Sequence, residues 1–233
     1  MLVSDLSGKQ VGESIDLKLF FRGNRDYIQG ALVIGRLAEY LYLKGHTDRL
    51  RLTSCKFTIL IETGVRAFFS EQTGQIASCT LQFKSGDNDL HQFWLYPDIK
   101  TRPPRVEDTS SLLNIDSLSI SKENPLSGSV EFHGCQDFEK LLLNLFAFNK
   151  RMHLESSSGV HTVLFTGIRG ASVPVSRAFS SGKFEIENRI KNGANGQIQS
   201  LSLVTISPKD ETLDALKFQM SFGYSIPHNE DTP

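Results

Sequence analysis

The chain has 233 residues, with 25 Lys and Arg against 26 Asp and Glu for a formal net charge of −1, 39% hydrophobic residues and 16 Phe. So even a charge balance carries neither the cationic excess of a nucleic-acid binder nor a strong pull toward anionic membranes, and no run approaches the roughly 18 apolar residues of a membrane span. The three cysteines, Cys55, Cys79 and Cys135, are odd in number and lack metal-ligand spacing, so reduced thiols are expected rather than a disulfide framework or a zinc site. Residues 1–11 carry neither a basic n-region nor an apolar h-region, which makes a cytoplasmic location the expectation.

Along the chain, Leu17, Leu19 and Phe21 alternate within residues 15–21 with the period of a half-buried strand, and a turn follows at Gly23-Asn24. From 27 to 43 the apolar positions Ile28, Ala31, Leu32, Leu37, Ala38 and Leu41 recur at helical spacing. Val33, Ile34, Tyr40 and Tyr42 fill much of the opposite side, which predicts a helix buried nearly all round. Strand-like runs then follow at 50–61, 65–70, 76–83 and 90–96, separated by the Gly-containing breaks that suit antiparallel hairpins. Pro97, Pro103 and Pro104 amid polar residues predict a surface linker over 98–124.

Beyond the linker the pattern returns. Gly134, Asp137 and Phe138 answer Gly23, Asp26 and Tyr27 at an offset of 111, and Arg177-Ala178-Phe179 answers Arg66-Ala67-Phe68 at the same offset. A third match, residues 74–81 with 196–203, lies at offset 122, as though the second copy carried an 11-residue insertion near the Gly/Asn-rich stretch 191–196. A second helix is expected from Phe138, Leu141, Leu142, Leu145, Phe146, Phe148 and Met152, followed by strands at 160–175, 184–190, 197–206 and 216–224. A tandem repeat is therefore expected, with copies at 1–97 and 125–226 and a flexible tail at 227–233.

One strand, one long buried helix and three or four antiparallel strands per copy resemble the hotdog fold, and the tandem resembles a double hotdog. The expected class is α+β, each half a buried helix wrapped by an antiparallel sheet, with the two sheets continuous. A two-ferredoxin arrangement would need two helices per copy, and the pattern offers one. Phe20-Phe21-Arg22-Gly23-Asn24 followed by residues 27–34 is similar to the stretch around the catalytic His of hydroxyacyl-(acyl carrier protein) dehydratases. Asn24 stands where that family has its His, and Cys135 stands there in the second copy. Gly35 and Phe146 occupy the position of the family's helical acid. Dehydration needs both a base and an acid, so the resemblance implies a dehydratase-like scaffold without the dehydratase pair.

Hotdog thioesterases, which the pattern also resembles, use a carboxylate near the helix N-terminus while backbone N–H groups there polarise the thioester carbonyl. Asp26 and Asp137 occupy such a place, but an Asp directly before an apolar-periodic run reads first as a helix N-cap, and Asp26 with Gln29 makes a capping box. Gly30 either admits a thioester to the helix end or packs against a strand. Arg66 and Arg177 either contact phosphates of coenzyme A or a carrier protein, or face solvent and pair with Asp26 and Asp137. His133, two residues before Cys135, is a further candidate, with Cys135 as a small buried hydrophobe the alternative. His46, His91, His153, His161 and His228 show no metal-ligand spacing, and nucleotide-binding and serine-hydrolase motifs are absent, so no metal and no cofactor are expected. The expected function is binding and hydrolysis of an acyl-CoA or acyl-carrier thioester, with a homodimer of double hotdogs possible, and the competing reading is a non-catalytic binding or assembly protein on the same scaffold.

Overall fold

The computed structural model describes residues 14–23, 25–46, 50–86, 89–107, 114–121, 126–156, 163–169, 173–174, 179–192, 197–210 and 214–225. Asn24, Arg177, the Cys135 side chain and the tail from 226 lie outside the described residues. Among the described residues the chain is α+β, two helices with a large antiparallel sheet. It divides into two compact units, Met1–Thr109 with Pro174–Ser176 and Ser110–Val173 with Arg177–Pro233.

In the first unit, β1 (Ser14–Asp16) and β2 (Phe21–Arg22) precede α1 (Gly30–Leu43), and β3 (Arg51–Phe57), β4 (Gly64–Phe68), β5 (Cys79–Ser85), β6 (Asp89–Asp98) and β7 (Arg105–Val106) follow. The strands pair antiparallel in the order β1-β4-β6-β5-β3, while β2 and β7 form a separate parallel pair. The single strand expected at 15–21 is thus two short ones, although Leu17, Leu19 and Phe21 are all buried as their alternation requires. The helix starts three residues later than its periodicity suggests. Ile28 is buried and its N–H donates to the Ile61 carbonyl at 2.8 Å, which holds the chain extended up to Gln29. Ala31, Leu32, Val33 and Ile34 are buried in succession, so α1 has more than one apolar face. Leu52, Leu81, Phe83, Phe93 and Leu95, from β3, β5 and β6, supply the inward side of the sheet. At about 1.5–3 kcal/mol for each large side chain removed from water, this core is the main source of the unit's stability.

In the second unit, β8 (Asn114–Ser121) and β9 (Leu126–Gln136) lead into α2 (Phe138–Ser156). After it come β10 (Val163–Arg169), β11 (Val173–Pro174, divided between the two units), β12 (Phe179–Asn192), β13 (Gln197–Pro208) and β14 (Leu216–Ser225). The sheet order is β8-β9-β12-β13-β14-β10. Leu141, Leu142, Leu145 and Met152 of α2 are fully buried, as are Phe132, Phe184, Ile206 and Met220 of the sheet. Phe132 and Phe184 stack at 4.4 Å between centroids, and Phe146 stacks on Phe165 at 4.0 Å. The segment expected as a linker holds β7 and β8, since two strands short of hydrophobic alternation gain their backbone partners from β2 and β9.

The two units differ where the sequence match suggested equivalence. The helices correspond at offset 111, and β3 with β10 likewise. Residues 74–81 lead into β5, which lies between β3 and β6, whereas residues 196–203 lead into β13, which lies between β12 and β14. Similar stretches therefore take different places in their sheets, because long-range pairing decides strand order and local sequence does not.

Candidate functional site: two unlike helix entrances

The loop from β2 to α1 is tied down by one residue. Arg105 donates from Nη1 to the carbonyls of Gly23 at 2.6 Å and Arg25 at 3.1 Å, and from Nη2 to Asp26 Oδ1 at 2.6 Å, while its guanidinium lies over the Phe21 ring at 5.7 Å. Arg25 in turn donates to the Arg22 carbonyl at 3.2 Å. Asp26 is therefore not the N-cap, and the capping box with Gln29 is not formed. Its side chain is 83% exposed and ion-paired with Arg105, four residues ahead of the helix. Gln29 takes the N-cap place in an extended conformation with no side-chain bond, and no acidic residue stands in the first turn. Gly30 is the first helical residue, so the helix end carries its orphan N–H groups and partial positive charge without a carboxylate on them.

The second helix begins differently. Asp137 immediately precedes Phe138, its Oδ1 accepts from the Lys140 N–H at 2.8 Å, and its carbonyl accepts from the Leu141 N–H at 3.0 Å. This is the N-cap expected of it, reinforced by Glu139 in the first turn. His133 sits on β9 opposite Ser181 of β12 and Asn114 of β8, half-buried. Arg66 on β4 pairs with neither Asp26 nor Asp137. Its Nε donates to Asp98 Oδ2 at 3.0 Å. Burial works against the Asp98 charge, but the Lys100 N–H, the Thr101 hydroxyl and Arg66 outweigh it and hold the carboxyl below its usual range. Phe146 and Phe148 are engaged within their own unit, Phe146 against Phe165 and Phe222 and Phe148 beside Gly128, while Tyr40 meets Phe69 and Phe93 in the other.

Three clusters escape the motif reading. Asn149, Asn188, Ser200 and Ser202 form a buried polar group between α2, β12 and β13, and buried His153 lies one turn on from Asn149, against Phe222. In that group Asn188 donates to Asn149 Oδ1 at 2.9 Å and accepts from both serine hydroxyls. The signal available was the spacing of Asn149 and His153, four residues apart on the stripe that also holds Leu142 and Leu145. Burial lowers the His153 pKa to about 4. In the first unit His91 Nε2 and Ser85 Oγ are 2.8 Å apart and the His46 ring lies 4.2 Å from the His91 ring. Burial first, then the His46 charge, lowers the His91 pKa. Cys55 and Cys79 lie 4.0 Å apart in the core, where burial and then the neighbouring thiol push the Cys79 pKa up. Among the described residues no group of three or more His, Cys, Asp and Glu side chains could hold a metal, and no helix is long and apolar enough to cross a membrane.

No family model matches the sequence and no curated protein matches it. Solved structures do resemble the fold. A tesB protein of Mycobacterium avium subsp. paratuberculosis superposes with a TM-score of 0.53 at 8% identity, over 90% of this chain and 91% of that one. The dehydratase domain of RzxB from Pseudomonas fluorescens gives 0.51 at 11% identity, over 95% and 96%. The fold is accordingly the one these two proteins share, in agreement with the hotdog resemblance of the sequence.

Proposed function

We propose that the chain is a hotdog protein acting on acyl thioesters of coenzyme A or a carrier protein, and that the α1 entrance hydrolyses them. The supporting observation is the unlike state of the two helix ends. The α1 N-terminus, begun by side-chain-free Gly30, has no carboxylate on it, while the α2 N-terminus is occupied by Asp137. A thioester carbonyl placed at Gly30 would accept from the helix N–H groups, which favour the negative oxygen of the tetrahedral intermediate more than the neutral carbonyl. Asp26 would take a proton from water as its oxygen attacks the carbonyl carbon. Collapse expels the thiolate, which regains the proton, leaving a carboxylic acid and a free thiol. Arg105 would hold the Asp26 carboxylate in place, and Asn24, at the sequence position of the dehydratase base, lies outside the described residues. In this reading Gly30 would admit the thioester to the helix end, and Arg66 would contact its phosphates. His133, on β9 ahead of α2, has candidate status at the second entrance, and Arg177 lies outside the described residues.

The test is release of free thiol from a panel of acyl-CoA thioesters of increasing chain length. Wild type should hydrolyse at least one, Asp26→Asn should lose about 10²-fold or more in kcat/KM as a missing general base does, and Asp137→Asn should keep most of it. Equal activity of wild type and Asp26→Asn would remove Asp26 from the mechanism. The second reading, a binding protein without chemistry, is favoured by the exposure of Asp26 and its ion pair with Arg105. It predicts saturable acyl-CoA binding with no thiol released from any member of the panel.

A further inference from the structure

At one end of the first unit's sheet, aliphatic side chains stand in water instead of in the core. Register gathers the end of β3, the start of β4, the start of β5 and the end of β6 there, since Phe57 lies opposite Cys79, Cys79 opposite Leu95 and Gly64 opposite Asp98. The loops that leave this end carry Ile59 (48% exposed), Leu60 (43%), Ile76 (71%) and Ile99 (84%). Backbone bonds anchor the loops where they leave the sheet. Thr58 and Ile59 N–H groups donate to the Ser78 carbonyl at 2.8 and 3.4 Å, Ser78 N–H to the Leu95 carbonyl at 2.8 Å, and Gly64 N–H to the Thr101 carbonyl at 2.7 Å. A single exposed aliphatic residue is ordinary, whereas four at one end of a sheet mark an interaction surface.

Composition and charge choose the occupant. The tips are Ile and Leu on three separate loops, with no Trp, Tyr or Met among them, the side chains that anchor protein interfaces. A fluid bilayer can close around separate points, whereas a protein partner must match each of them. Ile99 is followed by Lys100 and Arg102, both exposed, and the one acid of that turn, Asp98, is held by Arg66. Lys56 adds a third exposed cation, against Glu62 and Glu71 on the other two loops. The chain's net charge of −1 therefore does not describe this end. Aliphatic tips beside Lys and Arg suit a surface that lies at the headgroup boundary, its apolar groups sunk toward the acyl chains and its cations among anionic headgroups.

We infer that loops 58–62, 71–76 and 99–102 form a docking surface for an anionic lipid bilayer, with Ile59, Leu60, Ile76 and Ile99 entering the headgroup–acyl boundary and Lys100 and Arg102 meeting the headgroups. The Ile28 N–H donates to the Ile61 carbonyl, so the residues leading into α1 belong to the same end, and docking brings that entrance to the lipid. The docking stands independently of the thioester chemistry proposed above.

Co-sedimentation of the full chain with two sets of vesicles tests this, one of phosphatidylcholine alone and one with about one-third phosphatidylglycerol. Wild type should pellet with both and partition at least about fivefold better onto the anionic set. Salt at about 0.5 M should remove that advantage and leave the binding to phosphatidylcholine. Ile76→Ser with Ile99→Ser should lower partitioning onto both sets at least about tenfold. Lys100→Gln with Arg102→Gln should lower it on the anionic set alone. All four side chains are exposed, so thermal midpoints should stay at the wild-type value. Leu43→Ser with Leu90→Ser, also exposed but at the opposite end of the sheet, should change neither set. Wild type left in the supernatant with both sets overturns the docking, as does a loss caused by the Leu43 and Leu90 pair in place of the Ile76 and Ile99 pair. A wild type that elutes as a dimer and becomes a monomer on Ile76→Ser with Ile99→Ser assigns the tips to a second copy of the chain and overturns it as well.

Discussion

His153 offers a stability switch that can be worked out in numbers. Its side chain is fully buried on α2, facing Phe222, and burial lowers its pKa to about 4 in the folded chain. In the unfolded chain the same imidazole titrates near 6.5. Between these values the unfolded state binds the extra proton and the folded state does not, so acid draws the equilibrium toward unfolding. The stability is present above about pH 6.5 and is lost as pH falls toward 4. The linkage relation puts the loss at about 2 kcal/mol by pH 5 and about 3 kcal/mol by pH 4. Against a total of about 5–15 kcal/mol for a domain, this is a large share. Carboxylates titrate in the same range, but they are common to wild type and a His153→Leu variant and cancel in the difference. Urea unfolding followed by circular dichroism at pH 7, 6, 5 and 4 should therefore show the variant gaining on wild type by about 3 kcal/mol over the series. Parallel pH curves for the two proteins would refute the assignment.

The remaining predictions concern local structure. Asp137→Ala removes the carboxylate that accepts from Lys140 N–H and should cost about 1 kcal/mol in chemical unfolding. Asp26→Ala, which caps nothing, should cost clearly less, and equal losses would contradict the different roles given to the two aspartates. Gly182→Ala should lower stability by about 1–3 kcal/mol, because a Cβ there would stand 2.5 Å from the Ser207 carbonyl oxygen and 3.0 Å from the Phe132 ring. A thermal midpoint unchanged by that substitution would show that the β12–β13 pair can relax around the extra methyl.

Periodicity located both helices and most strands because each has one face that must leave water, as with Leu81 and Phe83 on β5 or Phe184 and Ile186 on β12. It overran the start of α1 because Tyr27 and Ile28 fit the helical pattern while the Ile28 N–H is claimed by Ile61, a contact across 33 residues. For the same reason Asp26 read as a cap. Asp137, with no such competing bond, was read correctly as one. The β7 strand was hidden by Pro103, Pro104 and the polar residues around them, since its hydrogen bonds come from β2 far back in the chain, and β8, which pairs with the adjacent β9, was hidden by its polar residues. Arg105, which organises the α1 entrance, lies 79 residues from Asp26 and belongs to no motif. The buried polar group around Asn188 left one trace, the Asn149–His153 spacing, which resembles an ordinary exposed helix pair.

The strand orders of the two units also set how each sheet can be assembled. From 179 to 225 the second unit runs β12, β13 and β14 as successive neighbours, closing its tightest turn at Asn192 and Ile198. Three strands there can form from short loops alone before the pairing of Val163 with Tyr224 is attempted. Among the described residues of the first unit the β5–β6 hairpin is the one local start, and β4 must then reach past β5 to pair Phe68 with Trp94. Refolding should therefore begin on the second unit's meander, and substitutions there should slow folding while those in β4 chiefly hasten unfolding.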